Sequence, residues 1–188
     1  MLERLVESLG RHQPIECADT DRPQAAVALL LAPDPDRLLL IRRADREGDP
    51  WSGHLALPGG RRDAGDVDLL ATAIRETVEE TGVPLERDWC RLQLDDLVPR
   101  IQVLPPIMVR PFVFLLTEAV VPGVSTEVAH AAWVPLGELL AEGVYRPHTI
   151  EVRGQPRTVA GYHLPEGFLW GMTERILTPV LTAWQALR

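Results

Sequence analysis

The chain has 188 residues, 46% of them apolar and 24% charged, a balance that suits a folded globular protein and argues against disorder. Its formal net charge is −8 and all 19 basic side chains are arginine, so bulk electrostatics favour neither a nucleic acid nor an anionic membrane surface. No stretch approaches the roughly 18 consecutive apolar residues that a membrane span needs.

The N-terminal stretch MLERLVESLGRHQP places Leu2, Leu5, Val6 and Leu9 at helical spacing and lacks the long apolar region and cleavage site of a signal peptide. It reads as a surface helix, followed by a Pro- and Asp-rich connector that completes residues 1–22. QAAVALLLA reads as a buried strand, PDPD as a turn and RLLLIRR as its hairpin partner. ADREGDPWSGH is polar and turn-rich, long enough for a functional loop. LALPGG reads as a short strand ending in a glycine turn.

Leu69 to Thr81 has the strongest helical pattern, with Leu69, Leu70, Ala73, Ile74 and Val78 on one face and Gly82 as its terminator. CRLQLDDLVPRIQV and IMVRPFVFLL are strand-like, HAAWVPLGELLAEG reads as a strand running into a short helix, and TIEVRG as a further strand. A long helix is expected to fill 165–188. Strands interrupted by a central and a terminal helix predict an α+β fold, an α/β/α sandwich on a mixed sheet, with residues 1–188 as one domain. Cys17 and Cys90 have no ligand or redox spacing and read as inert thiols in a reducing cytosol, hence a cytoplasmic protein.

Glu76, Glu79 and Glu80 stand at i, i+3 and i+4 on the central helix, an arc of about 100°. Like charges at that spacing repel unless a cation sits among them, and a divalent ion with a preference for hard oxygen ligands does this well. An isolated E-x-x-E-E is more often a solvated acidic face. The upstream Pro58-Gly59-Gly60 shifts that balance, because glycines let backbone, including a carbonyl, approach the same cation. Arg75, four residues before Glu79, is placed to orient that carboxylate. Asp66 and Asp68 both suit a helix N-cap. For Asp66 the alternative is a supporting role near the metal. Neither a Ser-His-Asp or Cys-His constellation nor a P-loop is present.

Taken together, Gly60, Asp66 and Arg75-Glu76-Thr77-Val78-Glu79-Glu80-Thr81-Gly82-Val83 resemble the box of the Nudix hydrolases. Three departures stand out: Asp66 replaces Glu, eight residues rather than seven separate it from Arg75, and Thr77 replaces an apolar residue. The extra residue falls in DAGDVD, which is turn chemistry and leaves the helical register of the carboxylates intact. Within the family, PGGRRDAGD and ATAIRE, the upstream LLIRRA and the terminal LWGMTERIL are similar to the coenzyme A diphosphatase branch. Leu57 stands where that branch has Phe. Its spaced arginine is out of register, with Arg46 the nearest candidate.

The resemblance implies an Mg²⁺- or Mn²⁺-dependent pyrophosphohydrolase acting on a nucleoside diphosphate linked to X. Coenzyme A, split into 3′,5′-ADP and 4′-phosphopantetheine, is the favoured substrate. ADP-ribose, dinucleotides or nucleoside triphosphates are the first alternative, and a non-catalytic nucleotide sensor the second. It implies Glu76, Glu79, Glu80 and the Gly60 carbonyl as metal ligands, with Glu79, Glu80 and Glu127 as candidate catalytic groups. Arg42, Arg43, Arg46 and Arg61 are candidates for phosphate contacts, Trp51 for base stacking and His54 for a phosphate contact. His130, His148 and His163 read as structural, and Trp133, Trp170 and Trp184 as core. A homodimer is compatible with the resemblance.

Overall fold

Within the strand Gln24–Ala32 (β1), every residue from Ala25 to Ala32 is apolar and residues on both faces are buried, the pattern of a central strand. In the computed structural model, which describes residues 1–19, 21–45, 52–99, 106–152 and 154–188, β1 pairs antiparallel with β2 (Arg37–Arg43) across the PDPD turn. Its longest pairing is parallel, with a strand that follows much later in the chain. The remaining members of this mixed sheet are β3 (Leu55–Ala56), β4 (Gly59–Arg61), β5 (Cys90–Gln93), β6 (Met108–Leu115) and β7 (Val128–Pro135). The strand order is β3-β2-β1-β6-β5, with β6 as the parallel partner of β1; β4 is laid against β1 and β7 against β2.

Alternation along β1 divides the core. Ala26, Ala28, Leu30 and Ala32 pack with Leu69 and Ala73 of helix α2 (Leu69–Thr81). Leu29 and Leu31 pack on the opposite face, in one cluster with helices α1 (Leu2–Leu9) and α4 (Gly171–Gln185). A short helix α3 (Leu136–Leu139) follows β7. The arrangement is the helix-sheet-helix layering expected for the α+β class. No helix among the described residues is long and apolar enough to cross a membrane.

The terminal region departs from the expected 165–188 helix. Residues 167–170 form a strand, β10 (Gly167–Trp170), in a separate antiparallel sheet of order β10-β9-β8, with β8 at Tyr145–Val152 and β9 at Gln155–Leu164. Gly167 (φ 147°) and Gly171 (φ 71°) hold backbone conformations that side-chain-bearing residues rarely adopt, so they bracket the strand and delay the helix. The expected glycine turn after Pro58 is likewise a strand: Gly59 and Gly60 pair with Val27 and Ala26.

Candidate active site

The carboxylate helix begins and ends where its sequence dictates. Asp68 is extended and accepts a hydrogen bond from the Ala71 N–H (2.8 Å), while Gly82 closes the helix in the left-handed region at φ 65°. The buried stripe, however, is not the expected one. Leu69, Thr72, Ala73, Thr77, Glu80 and Thr81 are buried, whereas Val78 is 42% exposed. Threonine can occupy this face because its hydroxyl bonds back along the helix, Thr77 Oγ1 to the Ala73 carbonyl and Thr81 Oγ1 to the Thr77 carbonyl, both at 2.7 Å.

This rotation gives the three glutamates three environments. Glu80 is buried, and its Oε2 accepts a hydrogen bond from the Gly59 N–H at 2.8 Å. Burial pushes its carboxyl up to about 7, opposed by that hydrogen bond and by Arg43, and reinforced by Glu76 and Glu127. Glu76 is half-buried, and desolvation raises its proton affinity too, with Arg75 opposing and Glu79 and Glu127 adding to it. Glu79 is the most exposed of the three, its side chain 58% accessible and held by Arg75 at 3.1 Å.

Arg75 is the hub of the helix. Its Nε and Nη2 form a two-pronged pair with Asp66 (3.0 and 2.9 Å), Nη1 reaches Glu76 (3.0 Å) and Glu79 (3.1 Å), and Nη2 also donates to the Arg61 carbonyl. Asp66 is therefore not the cap. Its side chain is 7% exposed and accepts from the Asp63 N–H and the Thr72 hydroxyl as well. Hydrogen bonding to Arg75 holds the Asp66 carboxyl well below the usual carboxylate range. Five residues separate Gly60 from Asp66, and the additional residue falls after Asp66, in the stretch before the helix begins at Leu69.

Gly60 earns its place sterically. A side chain added there would fall inside the Glu76 carboxyl group, so glycine is what lets that carboxylate lie over the strand. Gly60→Ala is expected to leave the fold within about 1 kcal/mol, since the displaced atoms end a flexible side chain. The same change should weaken Mn²⁺ binding at least tenfold, read by isothermal titration; unchanged affinity would remove Glu76 from the ligand set.

Glu76, Glu80, Glu127, Gly59 and Gly60 border one cavity of about 850 Å³, together with Arg43, His54 and Arg61. Glu127 is carried by the segment before β7, where its carbonyl accepts from the Ala44 N–H at 2.8 Å. The His54 ring meets Trp170 edge-on, with centroids 5.3 Å apart. Arg42 does not border the cavity; its Nε donates to the Gly53 carbonyl, because neighbouring residues on a strand face opposite ways. Glu79 does not border it either, its carboxylate being turned to Arg75. Arg46 and Trp51 lie outside the described residues.

The donor set facing the cavity is hard oxygen, and the lack of a side chain at Gly60 is what admits the Glu76 carboxylate, so the residues fit a divalent cation such as Mg²⁺ or Mn²⁺. Among the described residues no three His, Cys, Asp or Glu side chains already converge on one point. Glu76 and Glu79 are each held by Arg75, and Glu80 by the Gly59 N–H.

Part of the cavity wall was not foreseen. Trp170 is half-buried and faces the cavity instead of the core, and Met172, Glu174, Arg175 and Ile176 of α4 join it, with Tyr145 of β8. LWGMTERIL carried a signal for this region, but only as a resemblance. Of the other tryptophans, Trp184 is buried and donates to Asp36 (2.7 Å), and Trp133 is half-buried and donates to the Val120 carbonyl (2.7 Å).

The chain matches the NUDIX domain family over residues 21–152. An uncharacterized Nudix hydrolase of Photorhabdus laumondii, NudL, is 32% identical over 169 residues, covering 87% of this chain and 86% of that protein. An uncharacterized Schizosaccharomyces pombe protein is 39% identical over 110 residues, 55% of this chain, and there the match spans only 33% of the relative's length. The crystal structure of a MutT/nudix family protein from Enterococcus faecalis superposes with a TM-score of 0.62, covering 100% of this chain and 69% of that one at 18% identity, which speaks to the fold alone. With its glycine strand, Arg75 hub and glutamate helix, the chain belongs to the Nudix hydrolase family.

Proposed function

We propose that the protein is a divalent-cation-dependent pyrophosphohydrolase of nucleoside diphosphates linked to a second group X, with coenzyme A or its derivatives as the favoured substrate. The observation that carries the hydrolase reading is the buried Glu80 beside Glu76 and Glu127 at the edge of a cavity large enough for a nucleotide-sized ligand. The coenzyme A preference rests on the resemblances of the box insertion and of the Trp170-Gly171-Met172-Thr173 segment.

Glu76, Glu80 and the Gly60 backbone would hold the cation, with Glu79 joining them on leaving Arg75. A bound Mg²⁺ or Mn²⁺ supplies charge neutralisation on the pyrophosphate oxygens and a more acidic water. Glu127, at the cavity's edge, would accept the proton of the attacking water as the new phosphorus–oxygen bond forms. The bridging oxygen leaves with the departing phosphate. Arg43 and Arg61 would orient the diphosphate, and the two thiols suit a reducing cytosol.

The test is a substrate panel with Mg²⁺ and with Mn²⁺: coenzyme A, dephospho-coenzyme A, ADP-ribose, a diadenosine polyphosphate and dNTPs. The expected result is the highest kcat/KM for coenzyme A, with 3′,5′-ADP and 4′-phosphopantetheine as products. Preference for another member moves the assignment to that substrate. Absence of turnover with all of them favours a nucleotide sensor.

A further inference from the structure

The cavity changes character across the sheet. On the β4 side stand the glycines, carboxylates and Arg61. Beyond it, Ala25 of the adjacent β1, Val109 of β6 one strand further, Ile107 and Met172 of α4 form a separate apolar cluster that borders the same cavity. The register fixes their relation: Arg61 lies opposite Ala25, and Ala25 lies beside Val109. Two strand spacings amount to about 10 Å. A diphosphate placed at the carboxylates of the β4 side therefore has an apolar wall that begins on the adjacent strand and extends to about 10 Å from β4.

Two charged side chains of α4 border the same cavity: Arg175, whose Nη1 donates to the Val98 carbonyl at 2.8 Å, and Glu174, which is held from two sides. Glu174 Oε1 accepts from the Tyr145 hydroxyl at 2.9 Å and from the Thr178 hydroxyl at 3.0 Å, and Thr178 is in turn within 2.8 Å of the buried Tyr162 hydroxyl. A carboxylate fixed by two donors in a largely apolar wall disfavours a second anion nearby.

We infer that the first turn of α4 sets substrate choice: Met172 with Ala25, Ile107 and Val109 receives an uncharged, largely apolar X group, and Glu174 turns away X groups that end in an anion. The substrate class is a nucleoside diphosphate linked to a neutral chain, in contrast to a second nucleotide or a carboxylate-terminated chain. This rests on the hydrolase reading for its catalytic meaning, but the subsite itself is testable without chemistry.

The binding experiment uses two phosphate-free probes, S-butyl pantetheine and the same compound bearing a terminal carboxylate, titrated calorimetrically into the full chain. Wild type is expected to bind the neutral probe at least tenfold more tightly than the acidic one. Met172→Arg is expected to lose at least tenfold for the neutral probe, and Met172→Leu, which conserves volume, to retain it. Should the arginine variant not fold, Met172→Gln carries the same expectation. Glu174→Gln should narrow the gap between the probes. Equal affinity of wild type for the two probes, no binding of either, or indifference to Met172 overturns the inference whatever the substrate panel gives. Probe binding that depends on Met172, in a protein that cleaves no pyrophosphate, sustains the subsite and overturns the hydrolase reading alone.

Discussion

Glu80→Gln abolishes cation-dependent hydrolysis and leaves a folded protein whose Tm is no lower than that of the wild type: that is the largest functional effect expected of any single change here. The amide has nearly the same volume as the carboxyl group, and its oxygen still accepts the Gly59 N–H now bonded to Glu80. What disappears is a buried negative charge beside Glu76 and Glu127, whose desolvation the fold opposes when no cation is bound. Losing a group that merely supports a metal ligand costs about 10–100-fold in metal affinity or activity, and losing a direct ligand is expected to cost more. The measurements are kcat/KM at saturating Mn²⁺ and a thermal melt of the metal-free protein. Retained hydrolysis would falsify the assignment of Glu80 as a ligand, and a collapsed melt would recast the residue as structural.

The second large effect belongs to Asp66. Asp66→Asn turns an amide N–H or a single uncharged oxygen toward the two Arg75 nitrogens that now find a carboxylate. The Asp66 side chain is nearly buried, but Arg75 reaches solvent and keeps Glu76 and Glu79, so the loss is set at about 1–2 kcal/mol, below that of a fully enclosed pair. The sign with pH follows from the Asp66 carboxyl, held lower in the folded chain than in the unfolded one. Its contribution is present above the unfolded value, about 3.9, and is lost as pH falls through the lower folded value. The urea midpoint of Asp66→Asn should therefore lie below wild type at pH 7 and pH 5, and the gap should shrink below about pH 4. Mn²⁺ affinity is expected to fall about tenfold, because an Arg75 released from Asp66 no longer presents Glu76 and Glu79 in fixed positions. A gap that persists unchanged at pH 2 would show that packing, not the ion pair, carries the effect.

The boundaries of α2 were legible in the sequence because cap, terminator and period are all local signals. The position of Glu80 was not. Its burial depends on the Gly59 N–H, 21 residues away, and on Thr77 and Thr81 being inside, which threonine's polarity conceals until its hydroxyl finds a carbonyl one turn back. Strands β9 and β10 were hidden for a related reason. β10 has four residues, too few to show a period of two, and its Leu169 continues backwards the helical spacing of Met172 and Ile176. Only pairing with β9, such as Leu169 opposite Tyr162, makes it a strand. The same nonlocal step brings Met172, Glu174 and Trp170 to the cavity. Of the arginines proposed for phosphate, alternation along β2 separates Arg43, which faces the cavity, from Arg42, which does not.

The Asp66–Arg75 clasp also bears on how such a box changes over time. Relative to the family pattern, this chain has one backbone residue more and one side-chain methylene less on the path from the glycine strand to the guanidinium. The observed contact is short and two-pronged, so Asp66 reaches Arg75 with both changes in place. Taken alone, a longer side chain at 66 overfills a nearly closed site, at about 1–3 kcal/mol. Removing residue 67 alone is expected to shift the Asp66 carboxylate relative to Arg75 and weaken the contact. Each alteration is a handicap in the background that lacks the other, so the two are expected to be inherited as a pair. What the Asp66–Arg75 contact demands of this chain is a distance through space, which a count of residues records only indirectly.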